Sequence, residues 1–251
     1  LYTILVTFLL WLMAIPWQRW SKKRAKVFFH AHSPAFSLAL ILTILAFLAS
    51  PPTFRVLADE TNLSGIAMNM YFLRTITNPL ESLPFCEGMS DIVNETLDKR
   101  PLFFPFLIFS THSLSGFRVE NVFYLNGVLS FSLLLLFYFL LRCWFSSFLA
   151  LMGMTLLAAV PVVVICMTSA GFEIANIVFV VLVFLSFTRF LLLQTARLAE
   201  FIILTLLLLA QIRYESSLFA LVMMPFLFWY LPKSEYASFS YRSFLLPLLF
   251  L

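Results

Sequence analysis

Apolar residues along this chain come in long uninterrupted runs, not in the alternation of a half-buried sheet. Runs fall near residues 1–17, 34–50, 121–141, 147–167, 172–188, 198–212, 216–231 and 243–251. A helix that crosses a bilayer needs about 20 such residues, with a range of roughly 17–25. The pattern therefore predicts an all-α integral membrane protein, a multi-span helical bundle forming one transmembrane domain over residues 1–251. The runs at 198–212 and 216–231 are too long together for one span, and Arg213-Tyr214-Glu215 divides them. The first and last runs reach the ends of the sequence, which reads as a fragment or a truncated product.

Residues 51–120 break the pattern. Leu63, Ile66, Ala67, Met70, Leu73 and Ile76 recur at three-and-four spacing, which predicts an amphipathic helix over 61–77. Its modest charge suits a helix lying in the membrane interface, and Asp59 is placed to cap its start. A second such helix is predicted over 101–115, with Pro101 suited to its first turn and Gly116 to its end. Residues 78–98 carry Pro79, Pro84, Gly88 and a set of acids, and read as an irregular loop between the two helices.

Composition narrows the solvent. The chain is 62% hydrophobic and 11% charged, with a mean hydropathy of +1.00, whereas soluble domains carry about 25% charged residues. Too little polar surface remains for a water-soluble globule. The net charge of +4 is unevenly spread. Arg19, Lys22, Lys23, Arg24 and Lys26 form one basic cluster, and eight of the twelve acids lie between residues 59 and 120. A basic run between apolar segments reads as a topology anchor, not a nucleic-acid site. With that cluster in the cytoplasm and each run crossing once, ten Lys/Arg fall inside against two acids, and six fall outside against ten. Splitting 198–231 at Arg213 preserves this bias, and the acidic loop 51–120 becomes extracytoplasmic. Location follows as integral membrane, multi-pass, and in a bacterium the plasma (inner) membrane. Cys86, Cys143 and Cys166, like His30, His32 and His112, show no metal-ligand spacing.

Three places offer chemistry. Asp59-Glu60 puts two carboxylates at the head of an interfacial helix, where one could act as a general base; a solvated helix start is the plainer reading. Lys99-Arg100 puts two cations before the second helix, suited to a lipid-linked phosphate or simply to headgroups. Arg213, Tyr214 and Glu215 set ionisable groups between two apolar runs, where such groups line a cavity or pair with each other. Glu173, after Gly171 at the start of another run, belongs to the same class of candidate cavity-lining residues, as does Arg118, although anchoring also explains Arg118.

The order of these features resembles the polytopic GT-C glycosyltransferases, in particular the protein O-mannosyltransferase and lipid A aminoarabinose transferase group. The segments that carry the resemblance are LADETNLSGIAMNMYFLRTI (57–76), DKRPLFFPFLIFS (98–110), GFRVENVFYLNGVLSF (116–131), TSAGFE (168–173) and AQIRYESSLF (210–219). The resemblance implies transfer of a sugar from a polyprenyl-phosphate donor to a protein or glycolipid acceptor at the extracytoplasmic face. Asp59 matches the family's catalytic acid, with Glu60 as its partner. Lys99 matches the lysine of a Lys-Pro-Pro-Leu element that binds donor phosphate, and here Arg100 replaces the first of the two prolines. The implied partners are the lipid-linked donor, membrane lipids and the acceptor, with no nucleic acid; no cofactor is specified, and a divalent ion stays open. A transporter component, or a non-catalytic protein sharing the fold, is the competing class.

Overall fold

The computed structural model describes residues 2–15, 22–84, 90–97 and 100–235. In chain order these form α1 (Tyr2–Ala14), α2 (Lys22–Ala49), α3 (Leu57–Phe72), strands β1 (Thr77–Pro84) and β2 (Ser90–Leu97), α4 (Phe103–Ser115), α5 (Asn121–Arg142), α6 (Ser147–Ala159), α7 (Pro161–Met167), α8 (Glu173–Leu193), α9 (Ala196–Ala210) and α10 (Ser216–Tyr230). Three of these helices, α2, α5 and α8, are long and apolar enough to cross a bilayer, and α6 with α7 makes a fourth if the bent pair counts as one span. The chain is thus a helical membrane protein, with fewer full-length spans among the described residues than the eight apolar runs predict. The run at 243–251 lies outside the described residues.

Two of the departures have a local cause. Residues 147–167, expected as one span, divide into α6 and α7 with a bend of 74°. Pro161 stands at the break: it has no N–H to donate, and its ring would collide with the carbonyl of the preceding turn. The run at 198–212 becomes α9, whose 15 residues rise only about 22 Å against a hydrocarbon core of about 30 Å. Instead of facing lipid, α9 is packed on all sides. Ile202, Leu206, Leu208 and Leu209 are fully buried, against α1, α8 and α10. Trp11 of α1 stacks on Phe201 at 5.8 Å and donates from Nε1 to Thr205 Oγ1 at 2.9 Å. Since lipid tails are as apolar as leucine, this packing is held by close contact and such hydrogen bonds more than by water exclusion.

Hydrogen bonds between chain-distant segments identify one end of the bundle. Thr53 N–H donates to the Thr168 carbonyl at 3.2 Å and Phe103 N–H to the Gln211 carbonyl at 3.1 Å. Asn126 Nδ2, fully buried in α5, donates to the carbonyls of Ser169 (2.7 Å) and Gly171 (3.0 Å). The ends of α2, α7 and α9 therefore meet the starts of α4, α5 and α8, as alternating crossings require.

Across this end lie α3 and α4, side by side and parallel: Asp59 meets Arg100 at their starts, and Tyr71 meets His112 near their ends. Leu63, Ile66, Ala67 and Met70 form the buried face of α3, as the spacing predicts. The helix starts earlier than expected, however, and Leu73 is exposed just past its end while Ile76 lies beyond it. Asp59 does not cap it. The N-cap is Val56, without a side-chain bond, and Asp59 sits inside the first turn.

Residues 78–98, expected as an irregular loop, instead contain an antiparallel hairpin in which β1 pairs with β2 from Thr77↔Leu97 to Pro84↔Ser90. Bulges between Pro79 and Glu81 and between Glu81 and Ser82 take up the irregularity. With only two strands, each has an unpaired edge where a proline's missing N–H costs nothing. The hairpin joins the parallel α3 and α4, and it packs on α3 at Gly65, where an added Cβ would stand 3.0 Å from Asn78 Oδ1.

Candidate functional site: a cleft at four helix starts

At this end of the bundle a cleft of about 180 Å³ is lined by Asp59, Arg100, Phe172, Arg213, Tyr214 and Glu215, with Leu63, Pro101 and Ile212 as its apolar wall. Four helices begin here: α3 just before Asp59, α4 just after Pro101, α8 after Phe172 and α10 after Glu215. Each helix start carries unpaired N–H groups and about half a positive charge from the aligned peptide dipoles. The convergence explains why acids gather here: Asp59 and Glu60 lie in the first turn of α3, Glu173 in that of α8, and Glu215 is the N-cap of α10.

Two arginines face the cleft, each held by a carboxylate. Arg100 Nη2 donates to Asp59 Oδ1 at 2.5 Å and Nη1 to the Asp59 carbonyl at 3.3 Å. Arg213 Nε donates to Glu215 Oε2 at 3.0 Å, and its guanidinium lies 5.7 Å from the centre of the Phe172 ring. The Glu215 carboxyl titrates below the usual carboxylate range, first because its own backbone N–H bonds it and then because of Arg213. Both pairs are part exposed. Solvent screens such pairs and leaves them weak, so an entering anion can compete for either guanidinium.

The other acids are placed differently. Glu60 is 3% exposed and does not line the cleft. Its Oε2 accepts from Arg55 N–H at 2.8 Å and from Ala170 N–H at 3.3 Å. It therefore closes the start of α3 and ties it to the turn between α7 and α8. Glu173 folds back over Gly171, where an added Cβ would stand 2.0 Å from Glu173 Oε2. Glycine at 171 leaves room for that carboxylate, and Asn126 holds the Gly171 carbonyl in place.

Of the residues singled out in the sequence, Asp59, Arg100, Arg213, Tyr214 and Glu215 come together; Glu60 and Glu173 lie in the walls behind them. Arg118, taken as cavity-lining, is not in the cleft: it is exposed in the turn between α4 and α5, where its carbonyl accepts from Asn121 N–H. Lys99 lies outside the described residues. No group of three or more His, Cys, Asp or Glu side chains is placed to hold a metal ion among the described residues. Sequence alone does not single out Phe172 as the stacking partner of Arg213, nor pair Asp59 with Arg100 across 41 positions. Compared with protein-family models, curated proteins and solved structures, the chain finds no match.

Proposed function

We propose that this protein is a multi-pass membrane glycosyltransferase, moving a sugar from a polyprenyl-phosphate donor to a hydroxyl of a protein or glycolipid acceptor at the extracytoplasmic face. The observation that carries this reading is the cleft, where two arginines and four helix starts surround a space next to the Asp59 carboxylate. Helix starts and guanidinium forks are what an anionic phosphate needs, and a carboxylate beside it is what an acceptor hydroxyl needs.

In this reading the donor phosphate draws Arg100 away from Asp59 and settles against Arg100 and Arg213, with Lys99 as the third cation implied by the resemblance. Withdrawal of Arg100 uncovers the base. The acceptor oxygen attacks the anomeric carbon and its proton passes to Asp59. The bond from that carbon to the phosphate oxygen breaks, and polyprenyl phosphate leaves with its charge neutralised by the arginines. Glu60 supports Asp59 by fixing the first turn of α3.

Asp59→Asn should keep insertion and unfolding temperature while transfer from a lipid-linked sugar falls by about 100-fold or more, the usual scale for loss of a general base. Transfer at the wild-type rate in membranes supplied with donor would remove Asp59 from the mechanism.

A further inference from the structure

The far end of the α3–α4 pair is built from different side chains. The rings of Phe72 and Phe117 lie 5.0 Å apart, and Tyr71 stands 4.9 Å from Phe72 and 6.2 Å from Phe117. Around them Leu73, Leu114 and Val119 are exposed, Leu114 at 90%. Contiguous exposed apolar surface of this kind marks a contact with something other than water. Two cations border it: Arg74, whose guanidinium lies 5.9 Å from the Phe109 ring, and the exposed Arg118, between Phe117 and Val119 in the chain. The one carboxylate of this turn, Glu120, is the N-cap of α5, where the helix dipole offsets its charge.

The neighbour of this edge follows from the chain. Phe117 stands four residues before Asn121, the first residue of α5, which is long and apolar enough to cross a bilayer. At no more than about 3.6 Å per residue, the edge cannot leave the membrane surface. Exposed apolar surface continues down α5 through Tyr124 and Val128, one turn apart on the same face.

We propose that this aromatic edge is seated in the adjoining lipid leaflet, with Phe72, Leu114 and Phe117 among the acyl chains and Arg74 and Arg118 on the phosphates of anionic phospholipids. Aromatic rings at headgroup depth and arginines that bury their stems while reaching for phosphate are the chemistry of that zone. The edge anchors the α3–α4 layer from one side, leaving its opposite end free to form the cleft. The inference rests on α5 being a span and not on the proposed transfer reaction, so either can fail without the other.

The test is depth measurement on the full chain in vesicles of phosphatidylcholine and phosphatidylglycerol. Nitroxide labels are placed at Leu114→Cys, Phe117→Cys and, as reference, Asn94→Cys on β2, with Cys86, Cys143 and Cys166 replaced by serine. Power saturation then compares collisions with oxygen, which concentrates in lipid, and with a water-soluble nickel chelate. The labels at 114 and 117 should favour oxygen and the label at 94 should favour nickel. Nickel-favoured collisions at 114 and 117 would overturn the proposal, and so would protection from both reagents, the signature of a second copy or another protein covering the edge. For the headgroup contact, Arg74→Gln with Arg118→Gln should move the 114 label toward water in vesicles containing phosphatidylglycerol and leave it unmoved in pure phosphatidylcholine. An equal depth with and without the arginines in the anionic vesicles would overturn that contact.

Discussion

The two ends of the α3–α4 pair share a backbone arrangement and differ in what holds them. At the cleft end, order comes from directed polar contacts: Asp59 to Arg100, Arg213 to Glu215, and Glu60 to two backbone N–H groups. At the other end it comes from rings, Tyr71, Phe72 and Phe117, with Asn121 beneath them bonding His112 and the Gly116 carbonyl. Because α3 and α4 are parallel, both of their positive ends lie on one side, beside the starts of α8 and α10, and the acids and the cleft lie with them. At the aromatic end only the start of α5 brings such charge, met by Glu120, and the end meets its surroundings mainly through apolar surface bordered by Arg74 and Arg118. Direction of the helices, more than composition of either segment, separates a polar site from a membrane-seated edge.

The largest test of this contrast is at Glu60. Glu60→Ala strips the acceptor from two backbone N–H groups, of which that of Ala170 is buried, and a buried group left unpaired costs about 1–3 kcal/mol. The variant should unfold at a clearly lower temperature in detergent, whereas Phe72→Ser at the exposed edge should change it little there. Equal effects would mean that Glu60 does not fasten α3 to the α7–α8 turn.

A smaller effect is expected at Gly171. The three atoms nearest an added Cβ all belong to the Glu173 carboxylate, the far end of a flexible side chain, so Gly171→Ala should fold and push the carboxylate outward. Carbodiimide labelling of Glu173 should then be severalfold faster than in the wild type; an unchanged rate would show that the carboxylate does not occupy that space.

The smallest effect belongs to the aromatic end and depends on pH. Burial holds the His112 imidazole below its usual value of 6.5. Its Nδ1 accepts from Asn121 Nδ2, which also donates to the Gly116 carbonyl at 2.8 Å, so the ring is neutral there. The unfolded chain takes up a proton first as pH falls, so the stability from the neutral ring is complete above about 6.5 and is lost progressively below it. Between about pH 7.5 and pH 5.5 the wild type should lose more unfolding temperature than His112→Gln. Parallel slopes would contradict this.

Much of the fold was legible because helices in lipid are written as apolar runs. The buried face of α3, the start of α4 near Pro101 and the separation of α9 from α10 around Arg213 could all be read from spacing and breakers. The hairpin could not, since Pro79 and Pro84 argue against strands unless each has a free edge. The bend at Pro161 was marked by a residue that straight spans also tolerate. The shortness of α9 was visible, but its place at the centre depends on which helices surround it. The site divides in the same way. Each charged group was recognisable by its cost near a membrane, but the meeting of residues 59, 100 and 213 is tertiary, and no local pattern encodes it. Gly171 carried no signal beyond its proximity to Glu173.

The central claim is that the cleft binds a polyprenyl phosphate through its arginines. It is tested most directly by titrating farnesyl phosphate against the purified full chain and following its unfolding temperature. Saturable stabilisation is expected for the wild type, reaching about 2.7 kcal/mol at a hundredfold excess over the dissociation constant. It should be lost in Arg100→Gln with Arg213→Gln and absent with farnesol. Equal stabilisation by farnesol, or undiminished stabilisation of the double variant, would contradict the claim.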